Sequence, residues 1–269
     1  MRTINRLLTA GLVAACMCTG AFATPSTQIW IPSTDIQGFG VIHLGWDSYI
    51  KTVQSPTIGG YESSITNGGI TVGVLPFKKL GLEIGIDYRD QPVPYRDYPI
   101  YLNAKLGVPE DAFFKYMPAI AVGVFDMGLG YKVGSQTNFN VTYGLIAKNI
   151  WKLGRFSVGY YGANDQALGV ATKDAGGVLA SWDRTISELT DKLWLAVDYM
   201  GGKNSYGALS VGAAYYICPD ASFIIGYDIF NDINYIPPTL VFKAKPTVTV
   251  QIDMNLPAIQ SWFKKTETK

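Results

Sequence analysis

Residues 80–89, LGLEIGIDYR, alternate without a break: Leu80, Leu82, Ile84, Ile86 and Tyr88 share one face of an extended chain, and Gly81, Glu83, Gly85, Asp87 and Arg89 share the other. Successive side chains of a strand point to opposite faces, so one face of this segment suits hydrocarbon and the other suits water. The same period of two recurs at Phe139, Val141, Tyr143 and Leu145 against Asn140, Thr142 and Gly144, and at Leu193, Leu195, Val197 and Tyr199 against Trp194, Ala196 and Asp198. It returns at Leu209, Val211, Ala213 and Tyr215, and at Val248, Val250, Ile252 and Met254. Downstream of Ala23 no run of about 18 apolar residues occurs, so any bilayer crossing falls to strands. Strands satisfy their backbone N–H and C=O groups in lipid only by closing into a barrel.

Worked outward from 80–89, the pattern divides the chain into strands at 38–51, 69–77, 80–89, 98–107, 119–128, 138–148, 153–162, 176–187, 192–200, 205–217, 221–231 and 239–254. The expected fold is all-β, a single antiparallel transmembrane barrel of about twelve strands with an even count and both ends on the periplasmic side. Connection lengths support it. Lys78-Lys79, Asn149 to Leu153, Ser187 to Asp191 and Cys218 to Asp220 are short, as periplasmic turns are; Thr52 to Gly68, Asp90 to Asp97, Gly128 to Thr137, Gly162 to Ala175 and Asp232 to Pro238 are longer. Two connections depart from the rhythm: Gly201 to Asn204 is short, and Val108 to Pro118 is long enough to hold a helical turn starting near Pro109.

The beginning of the chain reads as an export signal, residues 1–23. Arg2 and Arg6 precede an apolar run from Leu7 that is too short to cross ~30 Å of hydrocarbon, and Ala21-Phe22-Ala23 fits signal peptidase. A second reading places a lipobox at Val13-Ala14-Ala15-Cys16, with Cys16 acylated. Cleavage after Ala23 leaves Cys218 as the one cysteine and excludes an intramolecular disulfide. Charged residues make up 16% of the 269, against about 25% in soluble domains. That is too few to clothe a soluble barrel. With 22 basic and 21 acidic residues, nothing calls for nucleic acid. The barrel is expected over 24–256, followed by a polar tail at 257–269.

Aromatic residues gather where strands meet connections: Trp46, Tyr49, Tyr88, Tyr98, Tyr160, Tyr199 and Tyr227 toward one end, Phe77, Phe114, Tyr116, Trp151, Phe156 and Phe223 toward the other. Two such girdles are expected at the two headgroup levels, which makes membrane lipid the first partner. The outer-membrane assembly machinery is the second, and either Met254-Asn255-Leu256 or Trp262-Phe263 has to serve as its recognition signal.

Taken together, GFGVIHLGWD at 38–47, GGITVGVLPFKKLGLEIGIDYRD at 68–90, DKLWLAVDYMGGKNSYGALSVGAAY at 191–215 and SFIIGYDIFND at 222–232 resemble an uncharacterised porin-like outer-membrane family of Gram-negative bacteria. The resemblance covers most of the chain after residue 23. It implies the barrel fold and the bacterial outer membrane, and it carries no established activity.

Alternation assigns to the lumen His43, Asp47, Glu83, Asp87, Arg89, Asn103, Lys105, Asn140, Lys148, Arg155, Asp198, Asp228, Gln251 and Asp253. A lumen lined with both signs of charge can select ions or polar solutes, and the acidic surplus tilts it toward cations. Alternatively these groups pair with one another and fill the interior, as in narrow barrels. Because twelve strands lie between filled barrels of eight and open porins of 16 to 18, an open polar passage is expected. His43 would have to be the base of any hydrolase, but no G-x-S-x-G elbow supplies a nucleophile, and Ser48 points away from the His43 face. One histidine and one cysteine give no zinc-type spacing, and the oxygen-rich stretches Asp87 to Asp90 and Asn164-Asp165 read as solvated loop charge. The expectation is a passive or weakly selective channel for small polar solutes or ions, with no enzyme activity and no cofactor. The alternative is a structural barrel with a plugged lumen that displays its outer loops to a surface partner.

Overall fold

The computed structural model describes residues 26–54, 59–91, 97–132, 135–168, 174–231 and 245–256. The expected export signal at 1–23 and the polar tail at 257–269, including Trp262-Phe263, lie outside the described residues. The strands are β1 (Ile42–Lys51), β2 (Ile65–Gly73), β3 (Gly81–Asp90), β4 (Ile100–Val108), β5 (Ala119–Gly128) and β6 (Asn138–Ile150), then β7 (Gly154–Gly162), β8 (Gly176–Thr185), β9 (Leu193–Met200), β10 (Ala208–Cys218), β11 (Ala221–Phe230) and β12 (Thr247–Leu256). Each pairs antiparallel with its sequence neighbours. β1 and β12 close the barrel through ten register pairs, from Ile42 with Leu256 to Lys51 with Thr247, so no strand edge is left open.

The outer surface is apolar. Ile70, Ile84, Ile86, Val122, Val158, Val178, Val211, Ile225 and Ile252 are exposed on it, each flanked in sequence by inward-facing residues. Trp46, Tyr88, Tyr98, Tyr160 and Tyr199 are exposed toward the end with the longer connections, and Phe77, Phe114, Tyr116, Trp151, Phe156 and Phe223 toward the other. A closed barrel with an apolar belt between aromatic girdles is an outer-membrane β-barrel in contact with lipid. Tyr49 departs from the girdle expected for it: it faces inward, with its ring edge-on to Trp30 at 5.3 Å.

Several boundaries move, among them the start of β2, which lies at Ile65 rather than 69, and that of β10, at Ala208 rather than 205. β2 ends at Gly73 rather than near 77, because Pro76 has no N–H to give the ladder and Val74 N already bonds Leu82 O across the turn. β1 begins at Ile42, because residues 38–41 turn the chain into the barrel, with Gly40 N donating to Gly73 O. β12 is described from Thr247, and the expected start at 239 lies outside the described residues. The long connection from 109 to 118 forms turns rather than a helix.

The face assignment is inverted in β6. Val141, Tyr143, Leu145 and Ala147 are buried in the lumen, while Thr142, Ile146, Lys148 and Ile150 face outward. The reason is a second hydrophobic core inside the barrel, in which Val141, Tyr143 and Leu145 pack with Ile31, Leu179 and Met200. Leu168 joins this core from the helical turn α1 (Asp165–Leu168), so this part of the connection after β7 turns inward at the outer mouth.

Candidate functional site

The lumen is occupied. Residues 26–39 enter from the end of the short turns, run up inside the wall and double back at a bridge between Thr27 and Pro32. Gln28, Ile29, Ile31, Ser33, Thr34 and Gln37 are all buried. The lumen, expected from strand number alone to be an open passage, is therefore occupied in this structure by the segment ahead of the first strand.

The wall is cut to receive that segment. A methyl group added at Gly212 would lie 2.6 Å from Ile29 Cδ1, and one at Gly226 would lie 2.6 Å from Ile29 Cγ2. Only side-chain-free positions let the isoleucine lie against the strands. Ile36 uses Gly81 and Gly107 in the same way lower down. Trp30 stands edge-on to Tyr49 and to Phe230, at 5.3 and 5.4 Å between ring centroids, and its Nε1 donates to Tyr206 O at 2.7 Å.

Polar contacts hold the rest, and most of the lumenal candidates take part. Asp198 Oδ2 accepts from the backbone N–H groups of Ile29 and Trp30, at 2.8 and 3.0 Å. Glu83 Oε2 accepts from Gln37 N at 2.8 Å, and its other oxygen is 3.0 Å from Lys105 Nζ, which donates onward to Ser26 O at 2.8 Å. Arg155 places Nη1 within 2.8 Å of both Asp35 oxygens and Nε 2.9 Å from Asp183 Oδ1. Asp183 also accepts from Gln28 Nε2 at 3.0 Å, and Gln251 Nε2 donates to Ile29 O at 2.7 Å.

The remaining candidates pair along the wall. His43 lies between Asp253, 3.2 Å from Nε2, and Asn255, 2.8 Å from Nδ1. Arg89 forms a two-pronged bond to Asp126 at 2.6 and 2.9 Å and lies over the Tyr101 ring at 4.4 Å; Tyr206 also donates to Asp126, at 2.6 Å. Asp47 accepts from Asn67, Asp87 from Asn103, and Asp228 from Thr247. Lys148 is the exception. With β6 inverted it lies outside the lumen, 2.6 Å from Glu110 and 3.2 Å from Asp111 at the short-turn end. Asn140, also expected inside, is exposed.

Sequence reasoning passed over Asp35, Asp126, Asp183 and Trp30. Asp183 shares the phase of Leu179 and Ser181 in β8 and could have been placed by it. The plug had a signal too: Ile29-Trp30-Ile31-Pro32 is apolar, interrupted by proline and far too short to cross a membrane, so it needs some other place to be buried.

No protein-family model matches the chain, and no curated protein matches it. Among solved structures it is similar to an outer-membrane channel from Pseudomonas putida F1, at 10% identity and a TM-score of 0.48 over 82% of this chain and 97% of that one. It is similar to OmpF of Salmonella typhi in complex with daunomycin, at 9% identity and a TM-score of 0.37 over 80% and 97%. Neisserial surface protein A aligns at 10% identity and a TM-score of 0.22 over 81% and 96%.

Proposed function

We propose that the chain is a gated outer-membrane pore for small polar solutes or ions, closed in this structure by its own residues 26–39. The observation that carries this reading is the chemistry between plug and wall. The wall is lined with His43, Asp47, Glu83, Asp87, Arg89, Lys105, Arg155, Asp198, Asp228 and Asp253, while the plug is a separate stretch of chain that lies on these groups through ion pairs, hydrogen bonds and the Trp30 anchor and seats Ile29 and Ile31 on apolar patches of the wall. The polar contacts can be exchanged for water and solute without opening any strand pair. A displaced plug would leave a water-filled passage whose charged wall filters by sign.

The test is planar-bilayer recording on two full-length proteins, wild type and a variant with a loosened plug, Trp30→Ala with Asp35→Asn. Folding is checked first by heat-modifiable gel migration. Rare openings in the wild type that become frequent in the variant support the pore. Silence from a folded and inserted variant would leave a structural barrel.

A further inference from the structure

Strand register brings six lumenal residues into one row. Ser157 pairs with Ser181, Ser181 with Asp198, Asp198 with Ser210, Ser210 with Asp228, and Asp228 with Thr247. All six are buried. Strands of a closed barrel are tilted, so a row that runs from strand to strand climbs along the axis. This one starts near the short-turn end of β7 and finishes at the outer end of β12, where Thr247 pairs with Lys51. It is a diagonal track from the lower lumen to the outer mouth.

The track is left short of hydrogen bonds. Ser157 Oγ, Ser181 Oγ, Asp198 Oδ1 and Asp228 Oδ1 are buried without a protein partner. Each of the two carboxylates has one oxygen satisfied by the chain, Asp198 by the plug amides and Asp228 by Thr247 Oγ1 at 2.7 Å, and one oxygen that meets no protein donor in hydrogen-bonding geometry, with Ser210 beside Asp228. Buried oxygens in this state call for water or a cation. The neighbouring row, Ala196, Gly212, Gly226 and Thr249, is where Ile29 packs, so the plug lies beside the track and touches it at Asp198. The row presents hydroxyl and carboxylate oxygens and no basic side chain below Lys51, a donor set suited to hard cations rather than anions.

We propose that this row is the path for water and small monovalent cations through the barrel, with Asp198 and Asp228 as successive coordinating sites. At a strand spacing of about 4.8 Å the two carboxylates stand roughly 10 Å apart, a distance a hydrated ion covers by way of Ser210. The plug amides on Asp198 occupy the place of a cation, so seating the plug and loading the lower site exclude each other. The proposal rests on the pore reading above and names its solute class.

The test is reversal-potential measurement in planar bilayers across a KCl gradient, on the full-length Trp30→Ala, Asp35→Asn background. The expected result is a preference for K⁺ over Cl⁻. Asp228→Asn should lower that preference about fourfold, the effect of one elementary charge about 5 Å from a hydrated ion at the dielectric of water. Asp228→Glu, which keeps the charge, should retain it. A preference for Cl⁻, or an unchanged K⁺ preference in the Asp198→Asn, Asp228→Asn double variant, overturns the cation path and leaves the pore standing. Absence of current from folded, inserted protein removes both.

Discussion

Replacing Trp30 by alanine should open the barrel without unfolding it. The ring makes two edge-to-face contacts, with Tyr49 and Phe230, and one hydrogen bond to Tyr206 O. Each aromatic contact contributes about 0.5–1.5 kcal/mol beyond burial, and the hydrogen bond about 1 kcal/mol net. Full truncation of a buried tryptophan costs about 3–5 kcal/mol. Trp30 is half-buried, so a loss near 3 kcal/mol is the appropriate figure. The loss falls on the seated plug, because a displaced plug already has its ring in water. At 1.36 kcal/mol per factor of ten, the ratio of open to closed barrels rises on the order of a hundredfold. Single-channel recording reads this as open fraction, and the strand ladder is followed separately by heat-modifiable migration. An open fraction equal to wild type in folded Trp30→Ala protein would mean that the aromatic anchor does not hold the gate.

Other consequences follow from particular contacts. Asp35→Asn removes one of the two carboxylates on Arg155 and should raise the open fraction about tenfold, with charge-assisted hydrogen bonds taken at about 1.5–3 kcal/mol; the effect should shrink at high salt, and a salt-independent change would point to packing instead. Gly212→Ala puts a methyl 2.6 Å from Ile29 Cδ1 and 2.7 Å from Ile225 O, so the plug must shift; increased thiol labelling of an Ile31→Cys reporter is expected, and unchanged labelling would contradict the close approach. Lys148→Gln should leave ion selectivity unaltered, since the side chain lies outside the lumen, and a changed reversal potential would restore it to the pathway. Glu110, in the connection from 109 to 118, keeps its carboxyl below the ordinary value: partial burial acts against ionisation but is outweighed by bonds from Lys148 and Asn149. Its stabilising contribution is complete above the ordinary value of 4.5 and is lost as pH falls through the lower folded value. Glu110→Gln should therefore lower resistance to urea unfolding at neutral pH, with the difference closing below pH 4.5; a difference that persists in acid would assign the effect to packing.

The barrel was legible because lipid and water impose opposite demands on alternate residues, as Leu80 to Arg89 shows most clearly. Phase alone does not say which face points inward. In β6 the apolar row Val141, Tyr143, Leu145 reads as lipid-facing, but it is spent on the inner core around Ile31, and Lys148 followed it to the wrong side. Tyr49 misled for the same reason, as an aromatic near a strand end can serve a girdle or an anchor for the plug. What alternation could not supply was the partner inside. Asp35, 120 residues from Arg155, and Gln28, 155 residues from Asp183, meet them only after the barrel has closed around the segment. The diagonal row is hidden for a related reason: Ser157, Ser181 and Ser210 are unremarkable within their own strands and become a track only through register.

The central claim, that residues 26–39 lie in the lumen and close it, is tested most directly by tethering them there. Gln28 Nε2 and Asp183 Oδ1 are 3.0 Å apart, so cysteines at both positions can be bridged by a short dithiol-specific reagent in native membranes, with the current recorded before and after reduction. A plug seated in the lumen gives an intramolecular bridge and a silent barrel that begins to open when the bridge is reduced. Failure to bridge, or a bridged barrel that conducts as well as the reduced one, would contradict that placement.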